Sequence, residues 1–173
     1  MKFALTVAAA GLAGSLLALP AFANDDGGGG NTPTCPRGQV YSQQKQMCVD
    51  AQSGVVDDKS LTTYASALAG EGRYEEALAT LDLLKDPNTA VALNYRGYAT
   101  RKLGRVDEGI GYYLQSVALD PDYTLVREYL GEAYLIKGDL PNAKLQLAEI
   151  EKRCGTTCEP YQDLAEAIAE NAI

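Results

Sequence analysis

The chain has 173 residues and contains no histidine. This absence removes Ser-His-Asp and Cys-His nucleophilic sites, metal sites with histidine ligands, and haem attachment through Cys-x-x-Cys-His. The acidic pairs Asp57-Asp58, Glu75-Glu76 and Asp107-Glu108 look like catalytic carboxylates only in isolation. Each pair lies just before a predicted helix or in its first turn, where it favours the helix dipole and faces water. We therefore expect a protein that is not an enzyme and that needs no cofactor and no metal.

Positive charge is also scarce. The chain has 15 Lys and Arg residues against 23 Asp and Glu residues, and its formal net charge is −8. Because such a chain repels phosphate groups, we expect neither a nucleic acid nor an anionic membrane surface as a partner. The glycine run Gly27–Gly30 has no strand before it and no helix after it, so it does not predict a phosphate-binding loop.

The chain has a single long apolar run, residues 4–19, which follows Lys2 and precedes Pro20-Ala21-Phe22-Ala23. This layout predicts a cleavable secretory signal over residues 1–23. A membrane anchor is the alternative, but the run is shorter than the about 20 apolar residues of a spanning helix. We expect an exported protein, periplasmic or extracellular, with no integral membrane segment after cleavage.

Cysteines are few but even in number, and four cysteines in an exported chain predict two disulfides. Residues 35–50 predict a small hairpin closed by a Cys35–Cys48 disulfide, which contributes roughly 3 kcal/mol on the chain-entropy model. An alternative function for this hairpin is binding of an envelope glycan, although Tyr41 is its one aromatic residue.

The segments on either side of the hairpin are polar. Residues 24–34, NDDGGGGNTPT, predict a disordered glycine-rich tether, because they contain no large apolar residue to bury. Residues 51–57 predict a linker to the helical part of the chain.

From Asp58 onward the apolar residues follow a helical period, interrupted by turns. The second of these patterns runs from Tyr74 to Leu84. The recurring positions are Gly72, Gly104 and Gly138 in turns, the small residues Ala77, Gly109 and Ala143 five positions later, and Pro87 and Pro121 at the ends. The turn glycines are 32 and 34 residues apart. The chain therefore contains an internal repeat of two helices.

These residues resemble the tetratricopeptide repeat (TPR), which has a period of about 34 residues and two helices per unit. The matching residues are Tyr64, Ala65, Leu68, Gly72, Tyr74, Ala77 and Leu81 in unit one; Gly97, Gly104, Gly109, Tyr113, Ser116 and Pro121 in unit two; and Leu130, Gly131, Tyr134, Gly138, Ala143 and Leu147 in unit three. The usual aromatic at the fourth position is replaced by Leu61, Leu93 and Arg127. Gly109 replaces the usual alanine, which allows closer helix packing.

The resemblance implies an all-α fold, a right-handed α-solenoid of about three TPR helix pairs with a C-terminal capping helix. The units cover about 58–89, 90–123 and 124–153, and the capping helix about 159–171, within a domain of residues 58–171. Asp139 is the expected N-cap of the last paired helix, and Thr156 with Glu159 predicts a capping box at the start of the capping helix.

The resemblance also implies a function, the binding of a protein or peptide along the concave groove lined by the first helix of each pair. The groove residues it implies are Asn94, Tyr98, Arg101, Lys102, Glu128, Glu132 and Leu135, with Lys59, Thr62, Ser66, Leu125 and Ile136 around them. We expect an adaptor or scaffold of the bacterial cell envelope whose client is a protein or peptide.

Cys154 and Cys158 lie between the third unit and the capping helix. A disulfide here would fix the capping helix to the stack. A redox-active dithiol is the alternative, but the spacing is Cys-x3-Cys rather than Cys-x-x-Cys. A zinc site formed with Cys35 and Cys48 is a third and less favoured interpretation.

Overall fold

The computed structural model describes residues 33–171. The predicted signal, residues 1–23, and all but the last two residues of the predicted tether lie outside the described residues. The described part begins with two strands, β1 (Gln39–Ser42) and β2 (Met47–Asp50), and a 3-10 turn at Ala51–Ser53. Seven helices follow in it: α1 (Asp58–Gly70), α2 (Tyr74–Leu81), α3 (Ala90–Lys102), α4 (Val106–Leu119), α5 (Thr124–Ile136), α6 (Leu140–Cys154) and α7 (Glu159–Glu170). Over residues 33–171, no helix has the length and apolar character needed to cross a membrane.

The turn between the two helices of each pair contains a glycine in the left-handed conformation. The φ angles of Gly72, Gly104 and Gly138 are 75°, 84° and 73°, where any other residue would be strained. In each turn the next residue donates its N–H to the carbonyl five residues earlier, as from Asp139 to Tyr134 at 2.8 Å. These bonds satisfy carbonyls at the end of the first helix and reverse the chain. The expected three helix pairs, α1–α2, α3–α4 and α5–α6, are thus present.

The helices of the second pair approach each other closely because both contact positions are glycine. A Cβ atom on Gly97 would lie 2.6 Å from Cε1 of Tyr113, and one on Gly109 would lie 2.9 Å from the carbonyl oxygen of Gly97. The closer packing that we expected from Gly109 is therefore present.

The apolar core continues from one pair to the next. Leu61, Tyr64, Leu68 and Leu81 are buried in the first part, Tyr113, Val126 and Leu130 in the second, and Ala143, Ile150 and Leu164 in the third. Tyr98 packs against the first two parts, and Tyr134 against the last two. Neighbouring units therefore share a core, which is how a solenoid of helix pairs gains stability.

The N-terminal hairpin covers the open end of the first unit. Strands β1 and β2 are antiparallel, and the Cys35–Cys48 disulfide is formed. Val40 is buried in the first part of the core, and the N–H of Cys35 donates to the hydroxyl oxygen of Tyr64 at 2.7 Å. Tyr41 is half-buried against the same core, so the hairpin does not present it as a free stacking surface. The hairpin is an N-terminal cap of the helical stack.

Helix α7 covers the other end and packs against both α5 and α6. A Cβ atom on Gly131 would lie 2.5 Å from Cδ2 of Leu164, so a glycine is needed where α7 contacts α5. The predicted capping box is wrong, because α7 begins after Cys158 and has no side-chain cap. The backbone N–H of Tyr161 instead donates to the carbonyl of Cys158 at 3.1 Å.

Two other details concern helix ends. Asp139 caps α6 as predicted, accepting the N–H of Asn142 at 3.2 Å. The pattern that predicted a helix as far as Leu84 is wrong at its end, since α2 stops at Leu81. Asp58 accepts the N–H groups of Lys85 and Asp86 at 3.1 and 2.8 Å. These bonds hold a tight turn in which Leu84 is buried without being helical.

Candidate partner-binding groove

The groove is the face formed by the first helices of the three pairs, α1, α3 and α5. Its predicted residues are spaced along α3 as Asn94, Tyr98 and Arg101, which places them on one helix face. Glu128, Glu132 and Leu135 repeat this spacing on α5. The structure therefore brings the two sets together on adjacent helices.

Aromatic rings occupy the centre of the groove. The rings of Tyr98 and Tyr129 lie 5.0 Å apart, and Tyr74 lies 6.3 Å from Tyr98 on the other side. The Arg101 guanidinium lies 5.6 Å from the Tyr98 ring and the Lys102 amine 5.3 Å from it. The two cations are within the range of cation–π attraction to that ring. Tyr129 was not predicted as a groove residue, and Tyr74, at the start of α2 beside the groove, was predicted only as a position that matches the repeat.

Arg101 is buried, which corrects the exposure expected for it. Its side chain is only 5% exposed. Its Nε donates to the hydroxyl of Tyr113 at 3.2 Å, and its Nη2 donates to Glu132 at 2.6 Å. Arg101 thus joins α3, α4 and α5, and any role in partner binding stays a prediction. Burial raises the pKa of the Tyr113 hydroxyl, so this hydroxyl keeps its proton.

Asn94 is also buried rather than exposed. Its Nδ2 donates to the hydroxyl of Tyr123, just before α5, at 3.2 Å. Among the described residues, its Oδ1 has no hydrogen-bond partner. Asn94 therefore offers a fixed acceptor at the junction of α3 and α5.

Glu128 occupies the corresponding place on α5 and is 5% exposed. Burial, and to a smaller extent the carboxylates of Glu132, Asp163 and Glu159, raise the pKa of its carboxyl group to about 9. The carboxyl is therefore protonated at neutral pH. Its Oε2 has no hydrogen-bond partner within residues 33–171.

A third buried polar atom without a partner in the described range is Oγ of Ser66, on α1. The three such atoms thus lie on three successive first helices. The repeat spacing is a sequence signal for two of these atoms, because Asn94 and Glu128 are 34 residues apart, whereas Ser66 corresponds by its spacing of 32 residues to Tyr98. The spacing could not show that the atoms are buried, since burial depends on the neighbouring helices.

The NMR structure of the first TPR domain of the human RPAP3 protein superposes with a TM-score of 0.53 and 21% identity, covering 65% of this chain and 92% of that chain. The chain has the tetratricopeptide-repeat fold. A curated relative, the TPR repeat-containing thioredoxin TTL4 of Arabidopsis thaliana, is 27% identical over 99 residues. The match covers 56% of this chain, which spans only 14% of the length of that relative. No family model matches the chain.

The remaining groove residues of the TPR domain differ in accessibility. Lys102 is exposed, and Tyr98, Glu132 and Leu135 are partly exposed. Leu135 also packs against the part of the core that contains α7. The accessible surface at the centre of the groove is therefore formed mainly by Tyr98, Lys102 and Glu132.

All four cysteines of the chain lie in the described part and are paired. Cys154 at the end of α6 is bonded to Cys158 just before α7, with their Cα atoms 6.0 Å apart. This disulfide connects the third unit of the TPR domain to its capping helix.

Proposed function

We propose that the TPR domain is a non-catalytic interaction module that binds a protein or peptide segment along its groove. The observation that carries the proposal is a row of buried polar atoms that have no hydrogen-bond partner within residues 33–171, namely Ser66 Oγ, Asn94 Oδ1 and Glu128 Oε2. Burying a polar group without a hydrogen bond is unfavourable, so a bound segment that supplies hydrogen-bonding groups would be stabilised here. The accessible ring of Tyr98, of a residue type that often dominates binding energy, lies beside this row.

The experiment is a quantitative crosslinking comparison in intact cells. The double variant Tyr98→Ala with Lys102→Ala changes accessible groove residues while it leaves the Arg101–Glu132 pair in place. The matched control is Gln115→Ala with Lys144→Ala, two exposed positions on second helices. We expect the groove variant alone to lose its major crosslinked proteins, and equal recovery from both variants would contradict the proposal.

We further propose that the protein is an adaptor exported to the bacterial periplasm or to the extracellular space. Two observations support this location: residues 1–23 have the layout of a secretory signal, and the chain has two disulfides, which persist in oxidising compartments. N-terminal sequencing of the protein from the periplasmic fraction should show a chain that begins at Asn24. A cytoplasmic protein that retains Met1 would contradict it.

A second candidate function is thiol–disulfide exchange through Cys154 and Cys158. It is favoured by the exposure of Cys154 and by the word thioredoxin in the name of the curated relative. The native protein should be incubated in glutathione redox buffers and alkylated, with insulin reduction measured in parallel. Ready reduction of this pair together with catalytic turnover would support exchange, whereas a pair that stays oxidised would contradict it.

A further inference from the structure

The end of the groove between α5 and α7 is acidic. Helix α7 packs against α5, and the carboxylates of Glu132 on α5 and of Glu159 and Asp163 on α7 all raise the pKa of Glu128. Arg101 on α3 is the cation among the groups that most affect the pKa of Glu128, and its guanidinium is already paired with Glu132 at 2.6 Å. Carboxyl groups thus outnumber cationic groups at this end of the groove.

A second observation points to a ligand at the same place. In the second unit, Asn94 is bonded to the hydroxyl of Tyr123, which follows it by 29 residues. The residue at the same distance after Glu128 is Thr157, which is exposed. The third unit therefore has no tyrosine hydroxyl in the place that Tyr123 occupies in the second unit. The Oε2 atom of Glu128 is buried and has no hydrogen-bond partner among the described residues.

The chemistry of this site selects a ligand that brings both hydrogen-bond donors and positive charge. An ammonium group offers three N–H donors and a guanidinium group five, and neither accepts a hydrogen bond. Either group would satisfy the free oxygen of Glu128 and offset the neighbouring carboxylates. These carboxylates would repel an anionic ligand, as they already repel one another.

We propose that the α5–α7 end of the groove binds a cationic side chain, lysine or arginine, of the partner segment. This inference rests on the proposed function of the groove and adds the chemistry of the partner. In the empty groove Glu128 holds a proton, because burial and its acidic neighbours raise its pKa to about 9. A bound cation stabilises the ionised carboxylate. Binding at neutral pH therefore releases the proton to solvent, and the carboxylate and the cation form an ion pair.

The test uses three labelled peptides of one scaffold, in which alanine alternates with lysine, glutamine or glutamate. For the intact protein, with its N-terminal hairpin, we expect the lysine peptide to bind at least ten-fold more tightly than the glutamine peptide, and the glutamate peptide to bind most weakly. Calorimetry in buffers of different ionisation enthalpy should show nearly one proton released per bound lysine peptide at pH 7.

Glu128→Gln keeps the shape of the protonated side chain and removes its charge. This variant should lose most of the preference for lysine over glutamine and release almost no proton on binding. Asp163→Asn tests the α7 side of the site and should weaken lysine binding several-fold. The matched control is Glu166→Gln, which removes one charge from an exposed position of α7 and should change nothing.

Two results would overturn the inference while leaving the groove function intact. One is equal affinity for the lysine and glutamine peptides, and the other is an equal loss of lysine binding in Glu128→Gln and Glu166→Gln. Failure of all three peptides to bind would contradict the proposed groove function together with the inference.

Discussion

Single residues determine how closely the helices of the TPR domain pack. Gly97→Ala places a Cβ atom 2.6 Å from the ring of Tyr113, whose hydroxyl accepts a hydrogen bond from Arg101. Since Tyr113 is fully buried, the ring must move against close-packed neighbours. We expect a loss of about 1–3 kcal/mol in the free energy of unfolding, measured by urea denaturation.

The control for this substitution is Gly111→Ala in α4. No heavy atom lies within 4 Å of a Cβ added there. Alanine has the higher helix propensity, so this variant should gain up to about 1 kcal/mol. Equal effects of the two substitutions would show that the contact with Tyr113 does not limit packing.

Glu128 should make stability depend on pH. Its pKa rises from 4.5 to about 9 on folding, so the folded state holds a proton that the unfolded state has already released. Wild-type stability should therefore fall as pH rises through this window, with a slope that approaches about 1.4 kcal/mol per pH unit. Glu128→Gln cannot ionise, so it should match the wild type near pH 4.5 and exceed its stability increasingly toward pH 9.

Urea denaturation of both proteins at several pH values measures this difference. Glu166→Gln is the control: it changes an exposed side chain of α7, so this variant should give the same dependence of stability on pH as the wild type. Parallel profiles of wild type and Glu128→Gln would show that Glu128 is ionised in the folded protein at neutral pH.

The sequence predicted which groove residues share a helix face but not which of them are accessible. The repeat spacing assigns Asn94, Arg101 and Glu128 to groove positions. Their burial depends on contacts with other elements, such as Tyr123 before α5 and Glu132 on α5. These contacts join residues about 30 positions apart in the chain, and a pattern within one helix does not contain them.

At the scale of helices and strands, the best-predicted features depend on local backbone geometry. Gly72, Gly104 and Gly138 predicted the turns because each lies in the left-handed conformation, which other residues rarely adopt. The early end of α2 could not be predicted, because it depends on Asp58, 27 residues before the N–H of Lys85 that it accepts. The capping box failed at Thr156, since the chain enters α7 through Cys158.

The Cys154–Cys158 disulfide should control the docking of α7. Replacing both cysteines with serine removes a constraint worth about 2 kcal/mol for so short a loop on the chain-entropy model. We expect faster amide hydrogen exchange in α7, with α3 and α4 unchanged, measured by mass spectrometry.

The matched control replaces Cys35 and Cys48 with serine. It removes the other disulfide, at the opposite end of the stack, so it should increase exchange in the hairpin and α1 while leaving α7 protected. Unchanged exchange in α7 after loss of Cys154 and Cys158 would mean that the contact of Leu164 with Gly131 is sufficient to hold this helix.

At the scale of the whole molecule, the hairpin is part of the core rather than an appendage. Deleting residues 33–50 would uncover the first unit around Leu61, Tyr64 and Leu68. We expect a less stable protein that self-associates, detected by urea denaturation and sedimentation velocity, because an uncapped solenoid end exposes apolar surface.

A double substitution at the hairpin tip provides the control for this deletion. Gln43→Ala with Gln44→Ala changes two exposed side chains and should leave both stability and association state as in the wild type. A deletion variant that stays monomeric and equally stable would show that the hairpin does not cap the stack.

Both cross-links lie at the ends of the stack, and none joins one helix pair to the next. The middle pair, α3 and α4, is held by Gly97, Gly109 and the Arg101 contacts, which do not depend on an oxidant. In a reducing environment we therefore expect a firm centre with two loosened ends, and oxidation of the two cysteine pairs should hold both ends of the stack in place.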